Sequence, residues 1–261
     1  MPIYPPVVAL LLAITLVSVQ EEIDIGKQAD AQVRQMMPEL RDSATINYIR
    51  ALGQRLSASA AGPTYPYTFS VVDYREINAF ALPGGPVWLH RGVLQTATNE
   101  SQVAGVLAHE IAHVARRHAA DQLTKAMMTN WGLTALGAIL GNSGGAGVTQ
   151  VAAGLLANGV FLKFSRDDER EADDVGLEMM RRAGWDPRGM IELFETLRKE
   201  QSRDPGSVAV FFSSHPSPQD RIARLQAQAA RNRGGRRDSQ QFQSIKARLL
   251  KMPAAKAMPR G

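Results

Sequence analysis

The chain of 261 residues has a formal net charge of +5 and 44% apolar residues, enough for one large domain or two small ones with a real core. It has no cysteine, which excludes disulfides, thiol nucleophiles, cysteine zinc sites and a lipid-modified N-terminal cysteine. A transition-metal site must therefore draw on the five histidines and on carboxylates.

Residues 221–261 hold eleven Lys/Arg against Asp238 alone, leaving 19 basic and 24 acidic residues before them. The body is thus slightly acidic, and 231–261 reads as a basic C-terminal tail. A solvated helix or disordered extension is expected there, ahead of an anchor for phosphate-bearing polymers or anionic lipid. No aromatic-rich RNA-binding pattern accompanies it, and nucleic acid is not an expected partner.

Val7 to Val19 is an uncharged run of thirteen residues, followed by Gln20, Glu21 and Glu22. That is the length of a signal-peptide core and short for a bilayer span. Residues 1–19 are therefore read as a signal peptide or N-terminal anchor, with export to the periplasm or cell envelope, and 20–230 as the main domain. From Ile25 to about Ser59 apolar positions recur at helical spacing, divided by Pro38. Tyr67 to Val72 reads as a strand, and Ala79–Leu82 and Val87–Leu89 flank Pro83-Gly84-Gly85-Pro86 as a hairpin. A small antiparallel sheet inside a mainly helical α+β chain is expected.

Glu100 to about Thr124 reads as one helix capped by Asn99. Between Lys125 and Lys163 no residue is charged, and Gly141–Gly147 interrupts the run. Each half is about sixteen residues, roughly 24 Å as helix, which favours buried or cleft-lining helices over a membrane hairpin and leaves interfacial contact open. Helices are expected at Asp167–Arg182, at Pro187–Gln201 with Asp186 capping, and at Pro218–Ala230 with Ser217 as cap. Asp204–Ser217, with its prolines, is expected as a loop.

His109-Glu110-Ile111-Ala112-His113 is H-E-x-x-H inside a predicted helix. Positions i and i+4 share a face, so both imidazoles reach one Zn²⁺. With five His and twelve Glu, about 0.004 random occurrences are expected, so chance explains the pattern poorly. Zinc lowers the pKa of its water to about 7, and Glu110, rotated toward the open side, would take that proton and pass it to the leaving amine.

Zinc needs a third protein ligand. In Ser165–Gly176, the residues Glu169, Ala172, Asp173 and Gly176 fall on one helical face, where Ala172 and Gly176 permit close approach to the zinc helix. Glu171 points about 200° away from Glu169. Glu169 is therefore assigned as the ligand, and Asp173, one turn on, as the hydrogen-bond partner of a ligating histidine's distal nitrogen. His118 falls off the zinc face and is expected to bond a carboxylate or carbonyl. His90 is left structural.

Four blocks in order resemble the CAAX-prenyl-protease-type and HtpX-like zinc metallopeptidases, and within them the soluble periplasmic members: Asn78–Gly85, His109–His118, Ser165–Gly176, and Ser214-His215-Pro216 followed by Arg221. The resemblance runs from about Ile25 to Leu225. It implies a gluzincin-type endopeptidase fold, one Zn²⁺ per chain, Glu169 as third ligand and Asp173 behind the ligands. It further implies that Asn78, Ala79, Phe80 and Ala81 border the cleft and pair with an extended substrate through backbone hydrogen bonds. An ordinary hairpin needs the same residues. His215, otherwise a loop residue, resembles the family's late histidine, which stabilises the oxyanion or fills the open zinc position at rest.

The resemblance implies polypeptide substrates, namely misfolded or unassembled envelope proteins, with peripheral membrane or outer-membrane-assembly contact as a further expectation. The alternative is an envelope chaperone-like or assembly factor whose zinc site is closed by His215 and whose segment 126–162 holds clients.

Overall fold

The computed structural model describes residues 15–134, 163–215, 219–231 and 234–259. The first two helices are α1 (Val19–Met36) and α2 (Ser43–Ser57). Ser18 and Glu21 form a reciprocal capping box at the start of α1, and the Asp42 carboxylate accepts the Thr45 N–H at the start of α2. Pro38 lies between them, where the chain is extended. Strands β1 (Thr68–Val72), β2 (Ala79–Ala81) and β3 (Pro86–His90) follow.

The β2–β3 hairpin is antiparallel, but β1 joins β3 in parallel, giving the order β1-β3-β2. The sheet is therefore mixed rather than wholly antiparallel. The turn signal at Pro83–Pro86 covers only the hairpin, and nothing in the residues between Val72 and Ala79 announces a crossing to the far edge. β2 is consequently an edge strand.

A short helix α3 (Arg91–Thr96) leads into α4 (Glu100–Ala115), whose sixteen residues are all buried. Asn99 caps α4 through its side chain, as expected. The helix expected to run to Thr124 instead breaks at Arg116–Arg117 and restarts as α5 (His118–Thr134). Arg117 adopts a left-handed φ of 63°. Its guanidinium is held by the Glu22 carboxylate at 2.9 Å and by the Val17 carbonyl, which stabilises a backbone conformation unusual for a side chain of its size.

Helices α6 (Arg166–Arg182), α7 (Arg188–Arg203), α8 (Pro205–Ser214), α9 (Gln219–Arg231) and α10 (Gln240–Lys251) complete the described chain. Asp186 accepts the Arg188 N–H at 3.0 Å at the start of α7. The expected loop at Asp204–Ser217 is mostly α8: Asp204 accepts the Gly206 N–H, Pro205 occupies the first turn, where its missing N–H costs nothing, and Val208 and Phe211 are buried.

The basic C-terminal segment, expected as a solvated or disordered tail, is packed into the body. Phe242, Ile245 and Leu249 of α10 are buried in the main core, and Lys256 bridges to Tyr74 beside the sheet. Apolar spacing in α10 outweighs its basic residues.

The central helix α4 packs against α2, α6, α7 and β2. A Cβ on Gly176 of α6 would meet Met190 at 2.8 Å and the His109 backbone nitrogen at 3.3 Å, so glycine permits the close approach expected of that face. One sheet face enters the main core through Phe69, Val71, Ala79, Val87 and Leu89. The other, with Val72, Phe80 and Trp88, packs on Ala29 and Val33 of α1.

Three expectations fall wholly or partly outside the described residues. Most of the Val7–Val19 run does, although its end is docked: Thr15 bonds Asp121 at 2.9 Å and the Leu16 N–H bonds Thr124 at 3.0 Å. The uncharged stretch 126–162 continues α5 to Thr134 and then leaves the described residues, as does the Ser217 cap. No described helix is long and apolar enough to cross a membrane.

Candidate metal centre

Helix α4 carries His109 and His113 one turn apart, α6 carries Glu169 in its first turn, and the end of α8 carries His215. One ligand atom from each of these four buried residues lies within 4.8 Å of the others. His109 Nε2 stands 3.1 Å from His113 Nε2, 3.4 Å from His215 Nδ1 and 3.5 Å from Glu169 Oε2. His113 Nε2 is 3.4 Å from Glu169 Oε1.

Ligands 2.0–2.1 Å from a zinc ion at the corners of a tetrahedron are separated by about 3.3 Å, close to these spacings. Two imidazole nitrogens facing each other at 3.1 Å repel through their lone pairs unless a proton or cation lies between them. Among the described residues the donor set therefore fits a transition metal. The short contact is His215 Nδ1 to Glu169 Oε1 at 2.7 Å, a hydrogen bond.

Burial opposes the charge on Glu169, but His215, His109 and His113 hold its carboxyl well below the usual range. Burial dominates at His113 and pushes its pKa well below that of a free imidazole. Carboxylate Glu169 and neutral His113 are the forms that bind metal. At His109 burial is more than offset by Asp173 and Glu169, which hold its pKa at about 9. It keeps a proton that a bound cation would replace.

Glu110 is 1% exposed, and its Oε1 has no hydrogen-bond partner among the described residues. His215 Nε2 stands 3.6 Å from that oxygen. Burial pushes the Glu110 pKa up against the smaller opposing pull of His215, His109 and the Ala81 N–H that bonds it. A buried carboxylate with a raised pKa beside a metal-ligand cluster is suited to accept a proton.

The β2 edge adjoins this group. Asn78 O accepts the His90 N–H and the Leu82 N–H donates to Pro86 O, so alternate backbone groups face β3. Those of Ala79 and Ala81 face away from it. Phe80 points to the other sheet face and stacks on Trp88 with centroids 6.3 Å apart. Asn78 is buried, with neither side-chain amide atom bonded among the described residues.

Asp173 stands 3.2 Å from His109 Nδ1, the distal nitrogen, on the face expected for it. Arg221 of α9 grips Asp173 with Nε and Nη2 at 2.8 and 2.6 Å and also contacts Glu169. The spacing of Arg221 does not by itself name these two partners. His118 bonds the Glu171 carboxylate, as expected, at 3.1 Å, and it also meets His113. The second contact depends on the helix break and left no mark in the helical spacing. His90 sits apart from the cluster, bonded to the Glu76 carbonyl at 3.1 Å, and burial lowers its pKa to about 4.

The chain is 35% identical over 250 residues to the beta-barrel assembly-enhancing protease of Escherichia coli (strain K12), covering 90% of this chain and 49% of that protein. It is 32% identical over 182 residues to the mitochondrial metalloendopeptidase OMA1 of Schizosaccharomyces pombe, covering 70% and 52%. To the metalloprotease YcaL of Escherichia coli (strain K12) it is 28% identical over 211 residues, covering 80% and 76%. The chain spans about half the length of the beta-barrel assembly-enhancing proteases it matches. Residues 43–229 match peptidase family M48, a span that includes all four clustered donors, Glu110, the β2 edge and Arg221. With that match over residues 43–229 and a His/His/Glu donor set inside it, the chain belongs to peptidase family M48.

Proposed function

We propose that the chain is a zinc-dependent endopeptidase that hydrolyses polypeptides at the His109–His113–Glu169 centre, with one ion per chain. The observation that carries this reading is the convergence of those donors beside the buried Glu110, whose Oε1 has no hydrogen-bond partner among the described residues. Zinc held there supplies a Lewis acid that polarises the scissile carbonyl and acidifies water. Glu110 takes the proton of the attacking water and delivers it to the departing amine. The Ala81 N–H orients the Glu110 carboxylate, and the outward N–H and C=O of Ala79 and the C=O of Ala81 hold an extended substrate. Such backbone pairing tolerates varied side chains and suits a protease of misfolded or unassembled proteins.

Export to the periplasm or cell envelope by the N-terminal run, residues 20–230 as the catalytic domain, and envelope proteins as substrates belong to the same proposal. The name of the beta-barrel assembly-enhancing relatives supports it. The test is Glu110→Gln: zinc content and fold are expected to persist while casein cleavage falls by about 10²–10⁴-fold. Undiminished, chelator-sensitive cleavage by this variant would contradict the mechanism.

A second reading is favoured by one observation, the hydrogen bond of His215 to Glu169 within the donor cluster. Here His215 closes the site, and the chain acts as an assembly or chaperone-like factor that is proteolytically quiet at rest. It predicts that His215→Ala gains peptidase activity over the unmodified chain. Equal, robust activity of the two argues against closure.

A further inference from the structure

Each metal-facing histidine has a second ring nitrogen that must bond something, and His113 turns its own toward a third histidine. His118 opens α5, is 2% exposed, and is brought back toward α4 by the left-handed turn at Arg117. Its Nδ1 lies 2.9 Å from His113 Nδ1, and its Nε2 lies 3.1 Å from Glu171 Oε2. Phe164 stacks on the His113 ring with centroids 3.9 Å apart, which sets the plane of the ring but not which nitrogen carries the proton.

Neutral imidazole carries one N–H and one lone pair. For His113 to present a lone pair at Nε2, its proton must sit on Nδ1 and donate to His118 Nδ1. His118 is then an acceptor at Nδ1 and carries its proton on Nε2, where Glu171 accepts it. This set of tautomers satisfies every contact. The reverse set puts a proton on His113 Nε2, aimed at Glu169 and His109, and leaves the Glu171 carboxylate facing a bare lone pair.

We propose that Glu171 and His118 form a positioning pair for His113, holding its imidazole in the tautomer and orientation that offers Nε2 to the metal. The inference rests on the reading of His113 as a ligand. Both histidines on α4 then have carboxylate support from α6, Asp173 directly behind His109 and Glu171 acting through His118. The Glu171 side chain is 41% exposed and also pairs with Arg116, so the chain of bonds begins at the surface.

The test is the zinc dissociation constant of the full chain, measured by competition with a chromogenic chelator at one pH, with circular dichroism as the control for folding. His118→Leu is expected to weaken zinc binding about 10–100-fold. His118→Asn, whose amide oxygen accepts a hydrogen bond near the former Nδ1, is expected to recover most of that loss. Glu171→Ala, at a partly exposed position, is expected to fold normally and weaken binding about 3–10-fold, which keeps the test decisive should His118→Leu fail to fold.

Unaltered affinity in folded His118→Leu or in Glu171→Ala would overturn the proposal. Equal losses in the Leu and Asn variants would also overturn it, by reducing His118 to a packing residue. An unmodified chain that takes up no zinc would instead refute the metal-site reading beneath it.

Discussion

Arg221 joins two carboxylates with different tasks. It binds Asp173, which stands behind His109, and Glu169, which faces the metal position, while its guanidinium lies 4.7 Å from the centre of the Phe194 ring. All three charged groups are buried. Removing one member of such a set leaves an uncompensated charge in a low-dielectric site, a cost of about 3–5 kcal/mol. Arg221→Met is accordingly expected to lower unfolding free energy by about that amount in urea titrations and to weaken zinc binding. A variant as stable as the unmodified chain would show that Arg221 is dispensable for the carboxylate pair. At this scale much of the candidate site could be read, because H-E-x-x-H marks His109 and His113 and helical geometry narrows the acidic segment Ser165–Gly176 to Glu169 and Asp173. His118 could not, since its contact with His113 requires the chain to leave the helix at Arg117.

Among the elements, α10 and α2 are tied by one carboxylate. Asp42 caps α2 through Thr45 and accepts the Arg248 Nε–H of α10 at 2.7 Å. That contact, ahead of the opposing effect of burial, lowers the Asp42 pKa to about 2. A folded-state pKa below the unfolded value of about 3.9 means stability that is present above that value and lost as pH falls through about 2. The stability gap between the unmodified chain and Asp42→Asn should therefore be full at pH 5, by urea midpoints, and close as pH falls from about 4 to 2. A gap independent of pH would contradict the ion pair.

Most elements were legible because capping residues and apolar periodicity agree, as at Asn99 and Asp186. Three were not. Pro205 reads as a loop breaker until its first-turn position is known, the parallel pairing of β1 is a long-range choice, and the basic residues of α10 mask its apolar stripe of Phe242, Ile245 and Leu249.

Across the whole molecule, the uneven charge resolves into complementarity between the acidic body and its basic end. Arg221 and Arg224 meet Asp173, Arg237 meets Glu192 and Asp186, and Arg248 meets Asp42. Of the residues that read as a detached cationic tail, Arg237 and Arg248 instead neutralise Asp42 at the start of α2, Asp186 ahead of α7 and Glu192 on α7, and so tie that segment to the helices around α4. Burial of all of α4 then gives the donor cluster a rigid floor, with the β2 edge beside Glu110.

The central claim is that His109, His113 and Glu169 hold a zinc ion. The most direct test is an anomalous difference map from crystals of the zinc-loaded chain, collected on both sides of the zinc edge. The account predicts one peak per chain, about 2.0–2.2 Å from His109 Nε2, His113 Nε2 and a Glu169 oxygen. A stoichiometric zinc peak elsewhere, with these three residues unligated, would contradict it.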